Sequence, residues 1–270
     1  MSIKILEKIR KVRYNEISFI VLIRKYEKME KEKLKIYQIF WYFVLFSIIG
    51  LIIETLYGFI TMGVLESRKG LIWGPFCPVY GVGAVILIVL LNQVDQKNYF
   101  KLFIYGFFIG AATEYLMSYV LEAFYGIRFW DYTYTGKDIN GRICTLYSLF
   151  WGILAIFLMK FMKPNIDKLI AKIPRKVGKI LEIGLLVFLI IDALVTIWAV
   201  HTYETRAIQT YYQEEKQVVD SQNWFIQIKN KIENEYFTNE RMKKTFPNLR
   251  TKDRQGNEVW VRDLIQTQAP

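Results

Sequence analysis

One histidine, His201, among 270 residues leaves no set of imidazoles for a catalytic triad, a three-histidine metal site or a proton shuttle. Two cysteines, Cys77 and Cys144, lie far apart and cannot build a four-cysteine zinc or iron-sulfur site. The chain also has no G-x-x-x-x-G-K-[ST] phosphate loop, no G-x-G-x-x-G after a strand, no H-E-x-x-H and no G-x-S-x-G. A nucleotide site, a hydrolase nucleophile, a bound metal and a cofactor are therefore not expected, and the expectation is a protein that is not an enzyme. An integral membrane enzyme using a carboxylate pair as acid and base is the remaining catalytic rival. Turnover lost with one carboxylate, while folding persists, would favour it.

What is present is segregated. Hydrophobic residues make up 53% of the chain and aromatics 16%, yet 36 Lys and Arg stand against 25 Asp and Glu, a net charge of +11. Ile36 to Leu65 carries one charge, Glu54, and Gly70 to Val94 carries none. Leu102 to Ile127 holds Glu114 and Glu122, Ile143 to Met159 is uncharged, and Ile183 to Tyr203 holds Asp192 alone. A helix crosses a bilayer with about 20 apolar residues, so these runs are too long for the core of a soluble helical protein. The expected fold is all-α: a polytopic integral membrane bundle of about five spans, near 37–62, 71–93, 102–123, 143–162 and 180–200. A basic amphipathic segment, 1–36, precedes the bundle of 37–200, and a small polar tail, 201–270, follows it.

Charge sets the expected orientation. The segments 1–35, 93–101 and 160–179 carry 20 Lys and Arg, and the segments on the other side carry 7. By the positive-inside rule the N-terminus is cytoplasmic and the tail faces outward, in a multi-pass plasma-membrane protein. The same rule accounts for the basic surplus without nucleic acid. Residues 1–35 read as a helix lying on an anionic leaflet, the alternative being a solvated charged helix.

The second span opens with Gly74, Pro75, Cys77, Pro78, Tyr80 and Gly81 within eight residues. Two prolines remove backbone donors and oppose a regular helix. The segment is either an opening turn at the membrane interface or a broken helix at a binding site.

Acids inside spans cost about 2.5–3.5 kcal/mol each to insert and face a bundle interior. At helical spacing Glu54 shares a face with Ser47, Gly50 and Gly58, Glu114 with Gly106, Gly110 and Ser118, and Asp192 with Gly184 and Thr196. Such small, polar stripes are packing faces. Counted inward from the expected outer ends, all three acids reach one depth, and Tyr80 and Trp151 reach the same level. They form a candidate chamber for a cation, a proton or an amine-bearing substrate, under a loop rich in aromatics, 124–134. The plainer readings are protonated acids bonded across helix pairs and an interfacial aromatic belt. Cys77 and Cys144 open two spans from one side, so a disulfide, which needs Cα atoms within about 7 Å, and two buried free thiols are both open.

Several blocks resemble a known family: Gly50-Leu-Ile-Ile-Glu54, Gly70-Leu-Ile-Trp-Gly-Pro-Phe-Cys-Pro-Val-Tyr-Gly81, Glu114-Tyr115, Trp130-Asp131-Tyr132 and Asn140-Gly141-Arg142-Ile-Cys144. In this order, over roughly residues 38–160, they are similar to the ABC-transporter type IV family, the CmpB-like membrane proteins. Leu51 and the Arg68-Lys69 pair depart from its pattern. The resemblance implies a permease-like membrane component of an ABC-type transporter, and with the missing phosphate loop it implies a separate ATP-binding subunit. Partners are then the bilayer, that subunit and a second copy of the chain. The rival is a non-transporting membrane sensor or scaffold whose outer tail binds a ligand or partner. An essential tail with dispensable acids would favour it.

Overall fold

The computed structural model describes residues 35–125, 128–213 and 223–266. The expected amphipathic helix of 1–36 falls almost wholly outside them. From Tyr37 onward the chain forms one compact unit.

Four helices are long and apolar enough to cross a membrane. They are α1 (Ile36–Met62), α3 (Tyr99–Tyr125), the continuous helix Thr145–Lys172 and α6 (Arg175–Tyr211). The third of these is α4 (Thr145–Phe157), a π-helical turn at Leu158–Met162, and α5 (Lys163–Lys172). Each contains an apolar stretch of at least 18 residues, as suits helices whose outer faces meet lipid. With α2 (Pro78–Leu91) they make a helical bundle, and the chain is a multi-pass membrane protein.

One end of the bundle is basic. There the Tyr42 hydroxyl donates to Asp167, which Lys163 also holds at 2.8 Å, and Arg175 lies over the Tyr37 ring. The opposite end carries two short hairpins, β1 (Asp138–Ile139) with β2 (Ile143–Cys144), and β3 (Arg250–Lys252) with β4 (Glu258–Trp260). In the first, Asn140 and Gly141 take φ of 54° and 67°, and the Arg142 N–H closes the turn on the Ile139 carbonyl at 3.0 Å. Asn-Gly is the pair that accepts left-handed backbone at both turn positions.

The expected span 71–93 is not one helix. Its helical part is the 14 residues of α2, about 21 Å at 1.5 Å per residue against a hydrocarbon core of about 30 Å. Gly74, at φ 65°, turns the chain ahead of Pro75, and Pro78 opens α2 at a position where its missing N–H costs nothing. Irregular backbone covers the rest of the crossing. The Cys77 N–H donates to the Ser47 carbonyl, halfway along α1, so α2 begins at mid-depth and runs from there beside α3 to the π-helical turn. Among the described residues regular helix begins only at Pro78, and the segment ahead of it is irregular backbone.

Close backbone approach fixes the packing. A Cβ on Gly50 would occupy the Tyr80 ring, one on Gly106 would overlap Ala155, and one on Gly152 would stand 2.7 Å from the Phe103 ring. Glycine at these positions lets α1 meet α2 and α3 meet α4 without lipid between them.

The expected boundary at residue 200 falls inside α6, whose 37 residues span about 55 Å and overrun a bilayer. Its last turns carry Ala199, Tyr203 and Ala207 into an apolar core with Phe237, Met242, Phe246, Leu249, Val261 and Leu264. The tail is thus folded onto the bundle through α7 (Trp224–Glu235), α8 (Asn239–Thr245), the second hairpin and α9 (Val261–Gln266).

Candidate functional site

A cavity of about 1210 Å³ opens where the broken crossing leaves the bundle unfilled. Glu54 reaches it from α1, Glu114 from α3, Trp151 from α4, and Tyr80 from the first turn of α2. The Tyr80 hydroxyl donates to Glu54. Glu114 accepts twice, from the Tyr132 hydroxyl at 2.7 Å and from the Trp151 indole N–H at 3.0 Å. Each carboxylate is therefore held by uncharged aromatic donors. Glu114 is buried, and Tyr132 stacks on Tyr147 with ring centroids 4.6 Å apart. Burial and then the Glu114 charge push the Tyr132 hydroxyl up, so it stays a proton donor to the carboxylate.

The aromatic loop closes the chamber from the hairpin end. Trp130 and Asp131 line it with Tyr132, and the Trp130 indole donates to the Arg142 carbonyl at 3.0 Å. Asp131 pairs with Arg250 of β3 at 2.8 Å, and Phe246 to Arg250 together with Trp260 complete the cover. Arg250 lies over the Trp260 ring at 4.1 Å. The tail therefore roofs the chamber.

Burial opposes ionisation of Asp131, but the Thr133 N–H and hydroxyl and then the Arg250 guanidinium hold its carboxyl below the usual carboxylate range. A group depressed on folding contributes stability above its unfolded value and loses it as pH falls through its folded value. The pair should accordingly persist through the range in which an ordinary carboxylate becomes protonated and open only at lower pH. Protease protection of the tail followed as a function of pH measures this, and release near pH 6 would refute it.

Not every expected residue reaches the chamber. Asp192 is fully buried but does not line it: its Oδ1 accepts the Trp73 N–H at 3.2 Å and the Thr196 hydroxyl, while Thr196 accepts the Ile72 N–H at 2.9 Å. The layer of three acids is thus a layer of two. Asp192 Oδ1 takes up the Trp73 N–H, which the irregular crossing leaves without a helical partner, while its buried Oδ2 has no hydrogen-bond partner among the described residues. Of the broken motif, Cys77, Pro78 and Tyr80 line the chamber, while Gly74, Pro75 and Gly81 shape the backbone around it. Both cysteines are buried free thiols.

Asn140, Gly141 and Arg142 stand beside the chamber. Asn140 donates to the Tyr115 hydroxyl at 3.0 Å, and the Gly141 carbonyl accepts the Tyr132 N–H at 2.8 Å. Arg142 is buried between the Tyr115 and Tyr119 rings, bonds Ser118 at 3.1 Å and pairs with Glu122 at 2.7 Å. The turn thereby orients Tyr132 toward Glu114.

Residues 41–197 match the family described as "Putative ABC-transporter type IV". The chain belongs to that family. Its type IV region runs from α1 into α6, so Glu54, Tyr80, Glu114, Trp151 and Asp192 all fall inside the match, and the roofing segment 223–266 falls outside it. Neither the comparison with curated proteins nor that with solved structures gave a match.

Sequence reasoning missed His201, Glu204, Arg68 and Lys69, which also line the chamber. His201 and Glu204 are one turn apart on α6, and helical spacing past the expected boundary would have found them. Arg250 and Trp260 carried no local signal.

Proposed function

We propose that this type IV chain is the membrane-spanning permease subunit of an ABC-type transporter and that the chamber is its substrate site. The observation that supports this most is a crossing broken at mid-depth beside two buried carboxylates. Unwound backbone at that depth is a binding-site device in transporters, because it exposes polar groups where a regular helix would hide them. The chain acts as a carrier and not as a catalyst. The positive-inside rule puts the basic end in the cytoplasm and the hairpin roof outside the plasma membrane. A separate ATPase docks on the basic segments 1–35 and 160–179, where Lys172 and Arg175 flank the α5–α6 turn.

The test is co-purification of an ATPase and its effect on transport. Glu54→Gln and Glu114→Gln should each lower transport by about 10- to 100-fold, the loss of one charge-assisted contact, while insertion and expression persist. Wild-type transport by both variants would make the acids structural. A purified preparation of this chain alone that transports without ATP would remove the ATPase.

A further inference from the structure

The chamber's charge balance and its walls identify a ligand class, which rests on the permease reading above. Among the acids on its walls, Asp131 is neutralised by Arg250. Glu204 accepts from the Thr251 hydroxyl, and among the described residues Glu54 and Glu114 have only hydroxyl and indole donors. Of the cations, Arg68 lies by Glu66 and Lys69 is close enough to Asp192 to feel its charge, so neither compensates the mid-depth acids. Negative charge is therefore in excess at the level of Glu54 and Glu114. A cation there would gain from both carboxylates in a low-dielectric setting, and the faces of Tyr132, Tyr147 and Trp151 would attract it further.

The size of the chamber argues against a bare inorganic ion. Pockets for drug-sized ligands run to about 300–1000 Å³, and this one is at least as large. Its wall is mostly apolar, contributed by Leu121, Phe150, Ile153, Leu154 and Phe157 among others.

The wall between α1 and α4 is thin. Tyr57 of α1 and Phe150, Ile153 and Phe157 of α4 line the chamber, yet each is left about half uncovered, at 50%, 50%, 57% and 48%. Tyr57 meets Tyr147 of α4 through a side-chain hydrogen bond, and among the described residues α1 and α4 share no extended packing beyond it. At that depth the medium outside is hydrocarbon.

We propose that the ligand is an amphiphilic organic cation, an amine or quaternary ammonium on an apolar body, which reaches the Glu54 and Glu114 level from the bilayer between α1 and α4. Its charged head replaces the counter-ion that the chamber lacks, and its apolar body fills the volume under the roof.

The full chain, purified into lipid nanodiscs, tests this with two probes of equal shape and opposite charge, tetraphenylphosphonium and tetraphenylborate. Equilibrium dialysis against empty nanodiscs removes partition into lipid. The phosphonium should bind saturably and quench tryptophan fluorescence through Trp151, and the borate should bind at least about tenfold more weakly. Glu54→Gln with Glu114→Gln should weaken the phosphonium by about tenfold or more and leave the borate unchanged. Equal binding of the two ions by the wild type, or no saturable binding of the phosphonium, overturns the proposal and needs no variant. Cation binding without transport in the presence of the ATPase would retire the permease reading and leave the ligand class standing. ATP-driven transport without cation binding would retire the ligand class alone.

Discussion

Replacing Glu122 by alanine should lower the stability of the folded chain by about 3–5 kcal/mol and loosen the second hairpin from the bundle. Glu122 ends α3 and gathers three cations: Arg128 at 2.5 Å, Arg142 at 2.7 Å and Lys252 at 2.7 Å. The cost falls on the two arginines, whose side chains are only 13% and 9% exposed. With the carboxylate gone they keep their charge in a place that water reaches poorly. Lys252, half exposed, can turn to solvent and contributes little. Arg128 also holds Glu258 of β4 at 2.7 Å and pairs through its backbone with Arg250 of β3, so a shift of Arg128 is felt by both strands of the hairpin. Thermal unfolding in detergent and proteolysis between residues 250 and 260 would register the change. Glu122→Gln, which keeps the shape and some of the bonds, should cost less, and added salt should not rescue the alanine variant because the pairs are largely shielded from it. An unchanged melting temperature together with unchanged protection would refute the clasp.

Gly110→Leu should disrupt the bundle and the chamber together. In an exposed helix, glycine to a better helix former gains about 1 kcal/mol. Here sterics decide the sign, because even a Cβ would stand 2.6 Å from Cδ2 of Trp151, a ring wedged between α3 and α4. Overpacking of this kind costs about 1–3 kcal/mol or more. The ring cannot yield freely, since its N–H holds Glu114 at 3.0 Å, so the substitution also frees one oxygen of that carboxylate. Gly184 on α6 is the control: nothing lies within 4 Å of its Cβ position, and Gly184→Ala should be neutral or stabilising. Yield of monodisperse protein and its melting temperature separate the two, and a Gly110→Leu protein as stable as Gly184→Ala would show that α3 and α4 do not meet through this glycine.

Apolar run length carried most of the fold, because crossing a bilayer is a one-dimensional requirement that a sequence states directly. Helical spacing put Glu54, Glu114, Tyr80 and Trp151 in one expected layer, and all four line the cavity. Long-range pairing escaped it. Arg250 meets Asp131 across 119 residues and Lys252 meets Glu122 across 130, and counting charges on a long polar tail does not reveal which of them dock. Asp192 was misplaced for a related reason. Depth along a helix predicted its height in the bundle, but the claim on its Oδ1 came from a backbone N–H that only the irregular crossing exposes.

That same contact constrains how the protein is made. The N–H of Ile72 waits for the hydroxyl of Thr196, 124 residues downstream, and the N–H of Trp73 for Asp192. At about 5–20 residues per second a ribosome needs roughly 6 to 25 seconds to cover that interval. Throughout it the second crossing has only the 14-residue α2 as finished helix and a stretch of bare amide groups that hydrocarbon cannot satisfy. The segment must stay at the membrane surface or inside the insertion machinery until the fifth crossing arrives. Assembly of the bundle is therefore not sequential: its second transit is completed last.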